Sequence, residues 1–354
     1  MALGKKHEVK VALESYTHLV IGTKKIGKSS LIADIAKEIY GGLNNLLVIS
    51  IGDEDGYSAI DGLMYENPAS WKEFVGIIDE LVKNSDENPY KIVSIDTIDE
   101  LVDFAEKETI RLSNIENPTK IVTSVNAAFG GFGHGREKVI DLIQDQIMRL
   151  RRTKYGVFLV GHNKIKSIKQ KLEGENYNVI SSNLTEDYFN AFSYKADVIC
   201  NIVSEKVVKN GALDASERYM YFRDDGFVEA GSRFKSMPIH VPYGAKNYYD
   251  AVISGIKASL NTQMSDKDFE KKRKDAIKQK ETDAKKFAEK DGQINNDEML
   301  AIVVAAFKAG TKDQKEAAKK KLSDFGIPNF KDAEAFTKNQ LIEMQNIFKD
   351  EDAE

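Results

Sequence analysis

The 354-residue sequence predicts an α/β fold, a mostly parallel sheet with flanking helices, followed by a small all-α module. Three observations predict it. Short apolar runs alternate with amphipathic stretches over the first 260 residues. A glycine-rich turn of fixed spacing joins the first run to the first amphipathic stretch, and the composition shifts abruptly near residue 260. Strand-length apolar runs that alternate with helical patterns denote βαβ units and hence a parallel sheet.

Residues 18–21, 46–51, 92–95, 156–160 and 197–203 read as buried strands, each a short run dominated by apolar residues. Between them, 29–39, 71–82, 100–112 and 137–152 read as helices. In the first of these Leu31, Ile35 and Ile39 recur every four residues and share one face. After Asp197 the pattern turns to strand-like pieces at 218–222 and 227–230 around the turn Asp224-Asp225-Gly226. That predicts an antiparallel extension at one sheet edge.

From Asn261 onward 39 of 94 residues are charged, against 68 of the first 260, and all fourteen tyrosines and Trp71 precede that point. The expected division is a core domain over 1–260, a charged connecting helix over 261–291, and a helical module with an acidic tail over 292–354. Ser265 and Asp268 are spaced as a helix cap, Thr311/Gln314 and Thr337/Gln340 as capping boxes, and Gly326 with Pro328 as a stop. No fixed-period repeat runs through the chain, which excludes solenoids and propellers.

The single cysteine, Cys200, excludes an intramolecular disulfide and a cysteine-built zinc site. The longest apolar run, 299–307, has nine residues, far short of the roughly 20 that span a bilayer. No membrane partner and a soluble, cytoplasmic protein are therefore expected. The net charge of −5 counts little against a nucleic-acid partner, because local placement of the lysines matters more than the sum.

The first strand runs into Gly22-Thr23-Lys24-Lys25-Ile26-Gly27-Lys28-Ser29, followed by Ser30, and meets GxxxxGK[ST] at every fixed position. Such a loop wraps its backbone N–H groups around phosphates at a helix N-terminus. Lys28 then reaches the β- and γ-phosphates and the Ser29 hydroxyl ligates Mg²⁺. The strand at 92–95 ends in Asp96, the carboxylate that holds the Mg²⁺ shell in such sites. The strand at 46–51 ends in an acidic turn. Glu54 is the candidate to orient the attacking water, with Asp53, Asp55 and Glu100 as alternatives and a plain solvated turn as the bland reading. His162 and Asn163, at another strand end, are candidates to sense the γ-phosphate.

The order of phosphate loop, acidic turn, strand-terminal Asp and a GHNK strand end resembles the RecA-like ATPases. More narrowly it resembles the phage-encoded RecA-like ATPases grouped with the Sak-type single-strand annealing recombinases. The pieces that carry this likeness are GTKKIGKSS, FGGFGHGREKV at 129–139, GHNKIKS at 161–167 and KADVICNI at 195–202. The resemblance implies ATP as the nucleotide, a role in DNA recombination or annealing, and a homo-oligomer in the cytoplasm of a host cell. It also implies a basic finger from a neighbouring subunit, for which Arg233 and Lys235 have the location and spacing. Segments 113–135 and 164–195 are expected as long DNA-contacting loops, with Lys164, Lys166, Lys169 and Lys171 on phosphates of single-stranded DNA and Phe129, Phe132, Tyr177 and Tyr188 offering stacking faces. The C-terminal module is expected to dock DNA or a partner such as a recombination or single-strand-binding protein, or else to serve as a stability cap. Two other classes remain at this point: a small-molecule kinase, with Arg149, Arg151 and Arg152 as lid arginines, and a nucleotide-gated scaffold with little turnover.

Overall fold

The computed structural model describes residues 8–52, 57, 59–169, 176–209, 212–260, 264–331, 335–336 and 338–348. In chain order the elements are β1 (Thr17–Gly22), α1 (Lys28–Tyr40), β2 (Leu46–Ser50), β3 (Met64–Glu66), α2 (Trp71–Lys83), β4 (Ile92–Asp96), α3 (Ile98–Glu116), α4 (His134–Arg151), β5 (Gly156–Lys169), β6 (Asn176–Ser182) and α5 (Glu186–Ser193). They continue as β7 (Val198–Lys209), β8 (Ala212–Tyr221), β9 (Gly231–Ser232), β10 (His240–Pro242), α6 (Ala245–Ala258), α7 (Asp266–Ala309), α8 (Lys312–Asp324) and α9 (Lys338–Asn346). One sheet contains all ten strands, in the order β10-β8-β7-β1-β5-β4-β2-β3, with β6 beside β5 and β9 beside β7. The run from β7 to β3 is parallel, and β8 and β10 add antiparallel strands at one edge.

Central strands are buried on both faces, as parallel strands with helical cover are. On one face Val20, Phe158, Val160, Cys200 and Ile202 pack with Leu31, Ile32 and Ile35 of α1 and Tyr248, Val252 and Ile256 of α6. The start of α7 joins the same core through Phe269, and Lys280 donates hydrogen bonds to Tyr155 O at 2.6 Å and to Glu14 O. At the N-terminal edge of the sheet, buried Asp197 accepts from the Thr17 amide and pairs with Arg151 and Arg233.

His18 sits wholly inside this core. Its ring stacks on Phe158 at 4.6 Å, with Nδ1 2.9 Å from Tyr248 Oη and Nε2 3.2 Å from Leu13 O. Burial lowers its pKa to about 4, against an ordinary value of 6.5. Between those two values the unfolded chain binds a proton that the folded chain refuses, so stability falls as pH drops from 6.5 toward 4. The loss expected from this residue is about 3 kcal/mol. Urea melts at pH 7.5 and pH 5, compared with His18→Gln, check it; the variant should lose a large part of the slope.

Four segments differ from expectation. The described residues of 164–195 form no long loop, because β5 continues to Lys169 and pairs antiparallel with β6 before α5 begins. Lys164, Lys166 and Lys169 lie on an extension whose Lys164, Ile165, Ser167 and Ile168 are exposed, and cross-strand hydrogen bonding to β6 supplies the order. In 113–135, α3 persists to Glu116, a 3-10 turn spans Val125–Gly130, and α4 starts at His134. Residues 227–230 make no strand. Asp225 Oδ1 accepts the amides of Phe227 and Val228, so side chains take the place of a ladder, and Val228 keeps one isolated bridge to Ile180. Finally, α7 runs unbroken over 44 residues through Gly292, Asn295 and Asn296. Glycine costs only about 1 kcal/mol in a helix, and proline, the residue that breaks one, is absent there.

The chain divides into two compact units, 1–283 and 284–354. The second has its own core of Leu300, Val303, Ala318, Leu322, Ile327, Phe336, Leu341 and Met344. The Thr311/Gln314 capping box is formed in both directions, at 3.0 and 3.3 Å. Thr337 lies outside the described residues. Among the described residues no helix is long and apolar enough to cross a membrane.

Candidate functional site

The C-terminal ends of β1, β2 and β4 line up with residues 160–162 of β5 at one edge of the sheet, where open α/β sheets bind ligands. From Gly22 the chain turns through Lys25 at φ 62° and Gly27 at φ 109° and enters α1 at Lys28. A side chain at Gly22 would meet Ile26 Cγ2 at 2.8 Å, so the turn closes tightly on itself. Lys28 is buried, and its Nζ donates to Gly22 O at 3.0 Å and Thr23 O at 3.1 Å, which curls the ammonium into the loop's mouth. Thr23, Lys24, Lys25 and Ser30 are exposed, whereas Ile26 packs into the core.

Ser29 Oγ donates to Asp96 Oδ2 at 2.7 Å. Two residues 67 positions apart thus converge, because β4 delivers its last carboxylate beside the first turn of α1. Tyr57 also donates its hydroxyl to Asp96 Oδ2. Tyr57 was not anticipated from the sequence, although it directly follows the acidic turn. Asp53, Glu54 and Asp55 themselves lie outside the described residues. Glu100 is placed at this edge: a Cβ on Gly52, just past β2, would lie 2.9 Å from Glu100 Cγ.

His162 is the register partner of Gly22 on β5. Its amide donates to Asp99 Oδ2 at 3.0 Å and its Nδ1 lies 3.4 Å from the same atom, so the ring is turned toward α3. Burial alone would raise the Asp99 carboxyl, but hydrogen bonds from the His162 side chain and amide and from Asn183 hold it below its ordinary value. Asn163 reaches across β1 to Asn201 Oδ1 on β7 at 2.6 Å, and Asn201 in turn donates to Ile180 O and Glu229 O.

Other predicted residues lie elsewhere. Arg233 pairs with Asp197 at 3.2 Å and donates to Tyr194 O, beside the start of β1. Six residues of strand, about 20 Å, separate that edge from Gly22, so Arg233 and the neighbouring exposed Lys235 do not serve the loop of their own chain. Arg149 pairs with Asp79 at 2.7 Å and Arg151 with Asp197, which removes two of the three lid arginines from the phosphate site. Lys164, Lys166 and Lys169 fall on the β5 extension. Lys166 donates to Leu184 O, and Lys171 lies outside the described residues. Phe132 is almost fully exposed and Tyr177 substantially so, but Tyr188 is buried with its hydroxyl on Glu106 and offers no stacking face.

Two further residues at the loop escaped sequence reasoning. Arg218 of β8 donates to Ile26 O at 2.9 Å, and Tyr243, just beyond β10, donates to Gly27 O at 2.7 Å. They stand 192 and 216 positions from their partners, with no local motif to announce them.

A strand, a glycine-built phosphate loop, a buried lysine and a hydroxyl–carboxylate pair together define a P-loop nucleotide-binding site. The family comparison agrees: a model described as an AAA domain, AAA_24, matches residues 14–234. The chain belongs to that family of P-loop ATPases. No curated protein matches it.

Proposed function

We propose that the chain is a Mg²⁺-dependent ATPase that acts on DNA in recombination or single-strand annealing, in the manner of the phage-type Sak group it resembles. The observation that carries the ATPase part is the 2.7 Å Ser29–Asp96 contact beside the buried Lys28. A hydroxyl and a carboxylate are hard oxygen donors, the set that suits an ion sharing its ligands with phosphate and water. Ser29 and Asp96 would hold Mg²⁺, which would supply positive charge to offset that of the phosphates. The amides of 24–29 take the phosphates, Lys28 places its ammonium on the terminal ones, and Glu54 orients water, with Asp53, Asp55 and Glu100 as alternatives. His162 and Asn163 sense the γ-phosphate. Arg233 and Lys235 act from a neighbouring subunit in a homo-oligomer.

The DNA part rests on the β5–β6 hairpin. Lys164 and Lys166 alternate along one face with Ile168, opposite Ser181, Val179 and Tyr177, which gives a basic and aromatic surface suited to a single strand. The helical module of the second unit docks a recombination or single-strand-binding protein, and the protein works in the cytoplasm. Measuring ATP turnover with and without single-stranded DNA, alongside oligomer mass with nucleotide, tests this reading. Lys164→Glu with Lys166→Glu is expected to remove most of the DNA stimulation and leave basal turnover within about twofold, since surface charges act through the DNA term alone. A wild-type rate indifferent to DNA would leave an ATPase without the proposed substrate. Nucleotide binding without turnover would favour the scaffold.

A further inference from the structure

The carbonyls of the phosphate loop are held from outside by two side chains that nothing in the P-loop motif names. Arg218 Nη1 donates to Ile26 O at 2.9 Å, and Tyr243 Oη donates to Gly27 O at 2.7 Å. The two donors support each other, for the Arg218 guanidinium lies 4.0 Å above the Tyr243 ring. Gly27 O also accepts the first helical hydrogen bond, from the Leu31 amide at 2.9 Å, so both of its lone-pair directions are used.

A trans peptide is planar, and its C=O and the following N–H point in opposite directions. Anchoring Ile26 O to Arg218 therefore fixes the direction of the Gly27 N–H, and anchoring Gly27 O to Tyr243 and Leu31 fixes that of the Lys28 N–H. These amides belong to the set that a phosphate loop aims at its anion. The fit is close. A Cβ on Gly27 would lie 2.7 Å from both Arg218 Nη1 and Tyr243 Oη, at a φ of 109° that L side chains rarely adopt. Gly27 thus serves two purposes: it permits the turn, and it leaves room for the clamp.

We propose that Arg218 and Tyr243 are positioning residues for nucleotide binding, a clamp on the Ile26 and Gly27 carbonyls that pre-sets the phosphate-facing amides and adds one positive charge behind the loop. The clamp rests on the phosphate-loop reading and goes beyond it. It also ties the site to the antiparallel edge of the sheet, since β8 and the β10–α6 junction carry the two donors. Preorganised donors act without reorganising when the ligand arrives, so their removal weakens binding of every ligand that shares the phosphates.

The test uses the full chain and competition against a fluorescent ATP analogue, with ATP, GTP and ADP as competitors, for Tyr243→Phe, Arg218→Gln, Arg218→Lys and Lys28→Ala. Tyr243→Phe keeps the ring under Arg218 and deletes only the hydroxyl. It is expected to weaken all three nucleotides by the same factor, about three- to tenfold, and Arg218→Gln by about tenfold. Arg218→Lys, which keeps a donor and the charge, should recover part of the loss. In each clamp variant KM rises while kcat stays within about twofold, as for a uniform binding effect. Unchanged affinities in both Tyr243→Phe and Arg218→Gln, with Lys28→Ala impaired, would overturn the clamp and leave the phosphate loop standing. A shift in the ATP-to-GTP ratio would also overturn it, by assigning the pair to the base. An unimpaired Lys28→Ala would instead remove the phosphate-loop reading itself.

Discussion

Lys28→Ala is expected to abolish detectable ATP turnover while the core stays folded. The Lys28 ammonium is buried at the end of β1 and bridges Gly22 O and Thr23 O at 3.0 and 3.1 Å. It is therefore held where phosphates would lie, and no other described lysine is buried in this loop. During phosphoryl transfer, charge spreads over the oxygens of the γ-phosphoryl group, and a preorganised cation stabilises it in a site poor in water. Loss of one such group lowers kcat by about 10²- to 10³-fold. The structural cost is smaller: two net hydrogen bonds, on the order of 1–3 kcal/mol. Steady-state hydrolysis together with a thermal melt separates the two effects. A variant that melts like the wild type and hydrolyses at the wild-type rate would sink the ATPase assignment.

The second large effect is expected at Asp96. Asp96→Asn keeps the size and an acceptor for the Ser29 hydroxyl but removes the charge that the 2.7 Å contact places beside the first turn of α1. Turnover is expected to fall by about 10²-fold or more, with a higher Mg²⁺ requirement in what remains. Nucleotide affinity without Mg²⁺ should change little, because the loop amides and Lys28 are untouched. Titrating Mg²⁺ at fixed ATP reads this directly, and an unaltered Mg²⁺ dependence would take Asp96 out of the site. Since Tyr57 also donates to Asp96 Oδ2, Tyr57→Phe is the natural control for hydrogen bonding without charge.

Much of the fold was legible in the sequence because parallel strands announce themselves locally. Residues 18–21, 46–51 and 92–95 are apolar runs, and the structure places β1, β2 and β4 there within a residue or two at each end. The phosphate loop was legible for a similar reason: its chemistry needs glycine, lysine and a hydroxyl at fixed spacing along one stretch of chain. The β5–β6 hairpin was not legible. Its lysine-rich strand is ordered by pairing with β6, and pairing partners are not written in local composition.

What the sequence by itself determined is the kind of site and its first anchors, Gly22 to Ser29, because these residues act together through adjacency. The tertiary structure decided everything that depends on residues far apart in the chain. It brought Asp96 to Ser29 and Tyr57 to Asp96, and set Arg218 and Tyr243 behind Gly27. It also sent Arg149 and Arg151 to Asp79 and Asp197, away from the loop. Hydrogen bonds and ion pairs of this kind act over about 3 Å. Only the packing of the sheet decides which distant side chains come within that range.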